Sequence, residues 1–349
     1  MTTPALRSER AASDRMTAAA MPAVTTLPDF NDVLAAAARI APHAHHTPVL
    51  RSRALDELAG CELHFKAEHL QRAGAFKFRG ACNAVWSLSA EDAARGVVTH
   101  SSGNHGAALA LAARTRGIPC HVVVPDNAVA AKLAAIRAYG ATIRACAPTM
   151  AAREATCAQV QAETGAELVH PYTDPRVIAG QGTAALELLG NGGLGNGGAY
   201  DAIITPVGGG GLLAGTAITA HALAPHIRVY GAEPAGAADA FDALRRGERY
   251  LDYATDTVCD GLRGLLGAPN FELLRRHEVA VLLADDLATL RAMRLFWERT
   301  KQLIEPSSAV ALAAVLAHRE RFVGQRVGVI VSGGNVDLDA LASLLANGR

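Results

Sequence analysis

The chain is poor in aromatics, in unbalanced charge and in paired cysteines. Only 5% of its 349 residues are aromatic, which argues against a surface that stacks on nucleic-acid bases. Lysine plus arginine number 33, and aspartate plus glutamate also number 33. No net field therefore draws the chain to nucleic acid or to an anionic membrane, and neither partner is expected. The six cysteines, Cys61, Cys82, Cys120, Cys146, Cys157 and Cys259, include no CxxC pair, which removes a zinc or disulfide framework. Free thiols fit a reducing cytoplasm and, for most of them, a buried structural role. No apolar run reaches the roughly 18 residues that a membrane span needs.

What remains is a chain that is 50% hydrophobic, long enough for two α/β domains. Residues 1–28, rich in Ala, Thr, Ser and Arg and carrying Glu9 and Asp14, lack periodicity and a signal-peptide core. They read as a disordered tail in which Met16 and Met21 are candidate natural starts. From residue 29 onward apolar strand-like runs alternate with helix-like ones. The strand candidates are 62–68, 96–101, 120–125, 201–207, 227–234 and 326–334; the helix candidates include 107–117 and 309–322. This alternation predicts an α/β fold of parallel sheets with helices on both faces. The run 191–198, NGGLGNGG, reads as a surface loop without chemistry.

Five segments carry candidate chemistry. In AFKFRGA, Ala75–Ala81, Lys77 stands between Phe76 and Phe78; burying its ammonium there favours the neutral, nucleophilic amine, whereas a surface lysine would snorkel past the rings. SSGNHG, from Ser101, follows a strand and opens a helix. Its unsatisfied N–H groups, with Ser101, Ser102, Asn104 and His105, form either an anion site or a plain helix cap. Four glycines, Gly208 to Gly211, lie between a strand and a helix and read as a phosphate cradle. The same stretch satisfies GxGxxA through Gly209, Gly211 and Ala214, with Glu233 ending the next strand, so a dinucleotide site or a structural turn stays open. Ser332 ends the last apolar strand before Gly333-Gly334, where a hydroxyl bonds a ring nitrogen or caps the turn. Glu233, the Ala237 carbonyl and Asp239 offer hard oxygen ligands for Mg²⁺ or Ca²⁺, or solvated charges. His43, His45 and His46 have no carboxylate support nearby in sequence and read as packing or solvent-exposed residues.

A lysine nucleophile, an anion-holding helix start, a phosphate cup and a strand-end serine are what pyridoxal 5'-phosphate (PLP) requires; a nicotinamide leaves Lys77 and Ser332 without a task. In motif order the chain resembles the fold-type II PLP enzymes of the threonine/serine dehydratase and serine racemase group. The motifs are AEHLQRAGAFKFRGA, SSGNHG, HPYTDPRVIAGQGT, PVGGGGLLAG, GAEP, CDGLRG, KQLIEPSSA and SGGN.

The resemblance implies a large PLP-binding domain of residues 29–95 and 174–349, a small domain of 96–173 and a cleft between them. It also implies a homodimer and a small amino-acid substrate. It makes Lys77 the Schiff-base lysine supported by Phe76, sets Asn104 on the ring hydroxyl and Gly208, Gly209, Gly210 and Gly211 on the phosphate. Ser332 would meet the ring nitrogen, and Gly261 and Glu305 would line the ring. Ser101, Ser102, Asn104 and His105 would take the substrate carboxylate with help from Arg153. Glu233, Ala237 and Asp239 match a divalent-cation loop. The implied reaction is dehydration and deamination of L-threonine, L-serine or a related 3-hydroxy amino acid (phenylserine, hydroxyaspartate or an ectoine-degradation intermediate). The alternative is serine racemisation, with Ser102 as the second acid. A regulator without catalysis would leave Lys77 and Ser102 idle. The lack of a C-terminal regulatory module favours a short, catabolic-type enzyme. Two departures bear on substrate choice: Ala75 replaces the usual serine before Phe76-Lys77, and Tyr172 stands where racemases often carry asparagine.

Overall fold

The computed structural model describes residues 26–128, 130–190 and 199–347. The tail expected over 1–28 lies almost wholly outside the described residues, as does the 191–198 loop. Among the described residues there are ten strands: β1 (Val49–Leu50), β2 (Glu62–Ala67), β3 (Val97–Thr99), β4 (Cys120–Pro125), β5 (Thr142–Cys146), β6 (Glu167–Leu168), β7 (Ala202–Pro206), β8 (Arg228–Pro234), β9 (Ala280–Ala284) and β10 (Arg326–Val331). They form a six-stranded sheet, β1-β2-β10-β7-β8-β9, and a four-stranded sheet, β5-β4-β3-β6. All pairings are parallel except β1 with β2.

The α/β expectation holds because the central strands are apolar on both faces. Val327, Val329, Ile330 and Val331 of β10 are all buried, as a parallel strand covered by helices requires. Three corrections follow from weaker signals. The large sheet has an antiparallel edge, since β1 is only two residues long. Strand β5 escapes the pattern because, as the outer strand of its sheet, it is largely exposed. Strands β6 and β9 are short runs next to loops and escape it too.

One core lies between the large sheet and the helices Asp286–Thr300 and Pro306–Ala317, where the Phe65 and Phe296 rings meet edge to face at 5.1 Å. The other face is covered by the helices Pro175–Gly190 and Gly211–Leu223. A separate core joins Phe78 to Val97, Leu109 and Val122, tying the helix Lys77–Trp86 to the small sheet.

That helix is also pinned from behind. Arg79, fully buried, donates to Glu68 at 2.7 Å and to Glu187 at 2.6 Å, while Lys66 donates to Glu187 at 2.6 Å. Two cations and two carboxylates balance one another, so burial there does not leave an uncompensated charge. In front, the Phe76 N–H donates to the Ser332 carbonyl at 2.9 Å, and Ala75 bridges to Gly333. Lys77 is thereby fixed where the C-terminal ends of β2, β7 and β10 open, the position at which open α/β sheets take their ligands.

Candidate active site

A cavity of about 740 Å³ opens between the two sheets. Lys77, the four glycines, Gly261, Glu305 and Ser332 line it from the large sheet; Ser101 to His105 and Arg153 line it from the small one.

Lys77 Nζ donates to the Pro171 carbonyl at 2.9 Å and lies 5.1 Å from the centre of the Phe76 ring. Desolvation lowers its pKa to about 8, against the opposing pull of the Glu305 carboxylate. The amine is thus closer to its nucleophilic form at neutral pH than a surface lysine. The expected sandwich between two rings is not found. Phe78 is buried in the core beneath the Arg72 guanidinium, because consecutive helical residues point about 100° apart.

The helix Asn104–Arg116 starts with Gly103 at its cap and no side-chain cap bond. The capping reading of this turn therefore falls, and the first N–H groups stay open to an anion. The Ser101 hydroxyl accepts from the Gly103 N–H at 3.4 Å, while Ser102 makes no hydrogen bond with a described residue. His105 is buried, with Nε2 at 3.3 Å from the Val169 carbonyl. Desolvation first, and the nearby Lys77 charge second, hold its pKa well below the usual value. The ring is directed into the wall, and the backbone N–H is what His105 offers at the helix start.

The glycine run turns with Gly210 at φ +91° and leads into Gly211–Leu223. Among the described residues, no acceptor takes the N–H of Gly208, Gly209, Gly210 or Gly211. Side chains are excluded here by close packing: a Cβ on Gly209 would sit 2.3 Å from the Tyr172 ring. The dinucleotide alternative fails on Glu233. Its carboxylate accepts from the Ala240 and Phe241 N–H groups at 2.9 and 2.8 Å, holding the start of the helix Asp239–Arg246 rather than lining the cavity.

Ser332 is 3% exposed, and its hydroxyl makes no hydrogen bond with a described residue, so it does not cap the turn. The Gly261 N–H donates to Ser307 at 3.0 Å. Glu305 stands at the N-cap position of the helix Pro306–Ala317 without a side-chain cap bond, and its carboxylate accepts from Asn104 Nδ2 at 2.9 and 3.2 Å.

Glu233, Ala237 and Asp239 are all buried. Desolvation pushes Glu233 up to about 9 and Asp239 up to about 6. One oxygen of Asp239 has no partner. A buried carboxylate pair with one oxygen left without a partner fits a divalent cation. Among the described residues, no group of three or more His, Cys, Asp or Glu side chains is gathered for a metal; here a carbonyl would be the third ligand. His43 stacks on Trp86 at 3.9 Å, outside the cavity. All six cysteines are free, and five are buried.

The sequence reading does not single out Asn335, Ser307 or Asn270, whose side chains hold the cavity wall. Asn335 belongs to SGGN, yet nothing in that motif shows which backbone it meets.

The residues present fit PLP: a half-buried amine of lowered pKa, an uncapped helix start, and, among the described residues, four glycine N–H groups without acceptors and a cavity-lining serine whose hydroxyl makes no hydrogen bond. Comparison with known proteins gives the same reading. The family model for the pyridoxal-phosphate dependent enzyme matches residues 40–333. A β-hydroxyaspartate dehydratase of Paracoccus denitrificans is 49% identical over 316 residues, 90% of this chain and 98% of the relative. A serine racemase of Dictyostelium discoideum is 47% identical over 320 residues, 90% of this chain and 97% of the relative. The crystal structure of serine racemase from that organism superposes with a TM-score of 0.84 over 89% of this chain and 99% of that one. The crystal structure of a T.th. threonine deaminase has 44% identity and a TM-score of 0.84, covering 89% of this chain and 99% of that one. The chain belongs to the pyridoxal-phosphate dependent enzymes of fold type II, in the group of ammonia-lyases and serine racemases.

Proposed function

We propose that this enzyme removes ammonia from a 3-hydroxy amino acid, and that its substrate is 3-hydroxyaspartate. The observation that carries the substrate is Arg153. Its half-buried side chain lines the cavity, its Nε is buried without a partner, and it makes no hydrogen bond with a described residue. The open helix start at Gly103–His105 already accommodates the α-carboxylate. An unpaired guanidinium in the same cleft is matched by a second carboxylate, which it binds through charge-assisted, bidentate hydrogen bonds. A relative 49% identical is named for that substrate.

Bound PLP supplies an electrophilic carbon for the amine and a sink for the electrons left at the α-carbon. Lys77 is the base: its lowered pKa lets the amine accept the α-proton near neutral pH. The N–H groups of Gly208, Gly209, Gly210 and Gly211 hold the phosphate, with the dipole of the helix behind them. Ser332 would meet the ring nitrogen, offering it a neutral hydroxyl rather than a carboxylate. Phe76, Gly261 and Glu305 confine the ring, and Ser101 and Ser102 add donors to the α-carboxylate. The hydroxyl leaves with a proton as water; hydrolysis of the released enamine takes water up again. The net products are a 2-oxo acid and ammonia.

Racemisation of serine is the second reading, favoured by the unbonded Ser102 hydroxyl in the same cavity. A proton delivered there from the face opposite Lys77 would return the inverted amino acid. Glu233, Ala237 and Asp239 hold Mg²⁺ or Ca²⁺ away from the reacting atoms. The small domain, residues 96–173, carries the carboxylate-binding half and the large domain, 29–95 with 174–349, the cofactor half. The enzyme works as a homodimer in the cytoplasm; no helix among the described residues is long and apolar enough to cross a membrane.

Steady-state kinetics on 3-hydroxyaspartate, L-serine and L-threonine test the substrate. Arg153→Gln should raise KM for 3-hydroxyaspartate roughly 30- to 100-fold, the worth of a charge-assisted pair, while serine turnover moves only severalfold. A wild type that prefers serine or threonine, or an equal loss on all three substrates, overturns it.

A further inference from the structure

Asn104 faces the cavity with a side chain whose two ends are chemically opposite: Oδ1 only accepts, and Nδ2 only donates. Which end meets the cofactor decides whether the contact attracts or repels. The structure contains a chain of hydrogen bonds that fixes the answer. Asn335 Nδ2 donates to the Ala73 carbonyl at 2.8 Å and to Asn104 Oδ1 at 2.9 Å. Asn104 Nδ2 in turn donates to Glu305 at 2.9 and 3.2 Å. A backbone carbonyl cannot donate, so the Asn335 atom facing Ala73 has to be Nδ2. The same NH₂ group then requires an oxygen from Asn104, and Asn104 is left with its donor end turned to Glu305 and the cavity.

The anchor of this chain is rigid. Ala73 and Gly74 take successive left-handed conformations, φ +58° and +72°, immediately before Ala75 and the lysine. Gly74 is needed for the approach as well as the turn, because a Cβ there would lie 2.4 Å from Asn335 Oδ1. The Gly334 N–H donates to the Gly74 carbonyl at 3.0 Å, and Ala75 bridges to Gly333. Asn335 thus rides on the strand-end segment that also carries Ser332, and it reaches across to the helix Asn104–Arg116 of the small-sheet half.

We propose that Asn335 is a positioning residue: it orients the Asn104 amide so that its N–H, not its carbonyl, is presented to the oxygen of the bound PLP ring. The proposal rests on the reading that Asn104 meets that ring. Asn335→Asp inverts the logic. A carboxylate cannot donate to Ala73, and it attracts Asn104 Nδ2 away from the cavity, turning Oδ1 inward. Asn335→Ala removes the hold on Oδ1 and leaves Glu305 alone to orient the Asn104 amide.

The test is titration of each apoenzyme with PLP, following the visible absorbance of the bound cofactor, in a double-mutant cycle with Asn104→Ala. Asn335→Ala should weaken PLP binding about tenfold, the worth of one well-placed hydrogen bond, and shift the absorbance. Asn335→Asp should do more. In the Asn104→Ala background, both Asn335 changes should lose most of their effect. Full additivity, or unchanged binding and absorbance in Asn335→Ala, overturns the proposal and leaves Asn335 a pin of the 73–74 turn. Unchanged binding and absorbance in Asn104→Ala itself overturns instead the placement of Asn104 at the ring. Melting of each apoenzyme registers loss of the turn separately; should Asn335→Asp fail to fold, the Asn335→Ala cycle alone decides.

Discussion

Holding Lys77 in a desolvated cleft costs the apoenzyme stability, and the cost depends on pH in a direction the structure fixes. In the unfolded chain the amine titrates at 10.5; in the folded apoenzyme it titrates at about 8, because burial disfavours the ammonium more than Glu305 favours it. Below about pH 8 both states hold the proton, and the folded state carries the full penalty of about 3 kcal/mol, from roughly 1.4 kcal/mol per pH unit of displacement. Between 8 and 10.5 the unfolded state binds more protons than the folded one, so stability rises with pH. Above that range the penalty is gone. Lys77→Met keeps the bulk of the side chain and removes the titration. Apo Lys77→Met should therefore exceed apo wild type by about 3 kcal/mol near pH 7, by about 2 near pH 9 and by almost nothing near pH 10.5. Groups that do not feel the Lys77 charge cancel between the two proteins, and His105 and His170, which do, are held below their usual range by desolvation first and stay neutral from pH 7 upward. Urea unfolding of both apoenzymes across this range measures the gap, which near pH 7 also corresponds to roughly 4 °C in Tm for a chain of this length. A gap that stays constant with pH would show that the amine is not desolvated and would remove the basis for its nucleophilicity.

The glycine cup gives a steric prediction. Gly209→Ala places a Cβ 2.3 to 2.5 Å from three Tyr172 ring atoms, so PLP titration should show weaker binding, with overpacking worth about 1–3 kcal/mol; adding Tyr172→Ala should restore part of it, and normal binding by Gly209→Ala refutes the packing. The Glu233–Asp239 loop gives a metal-dependent one. With Glu233 raised to about 9 from 4.5, the metal-free folded state binds more protons than the unfolded state between those values, so its stability falls as pH rises. Mg²⁺ or Ca²⁺ should raise Tm at pH 8 and do little at pH 5; a melting curve that chelator leaves unchanged at pH 8 counts against the site.

Periodicity reveals strands that are apolar throughout and helices between them, because burial on both faces leaves a local signature. That suffices for β2, β3, β4, β7, β8 and β10. It does not suffice for β1, two residues long, or for β5, a largely exposed edge strand paired only with β4. The motif residues around the cavity are legible for a similar reason. A lysine beside Phe76, four consecutive glycines and SSGNHG are dense local patterns with few structural uses. Phe78 departs from its expected place because adjacency in sequence is not adjacency on a helix.

The sequence by itself determined the α/β class, the family and many of the residues that line the cavity, since these depend on composition, short-range order and motif spacing. Only the tertiary structure decided which way those residues face. It turned Glu233 to a helix start, directed the His105 ring into the wall, balanced Arg79 against Glu68 and Glu187, and set Asn335 between Ala73 and Asn104. The His105, Arg79–Glu187 and Asn335 contacts join segments far apart in the chain, and the shorter-range Glu233 and Glu68 contacts depend on how the intervening backbone turns, so no local pattern encodes the partner.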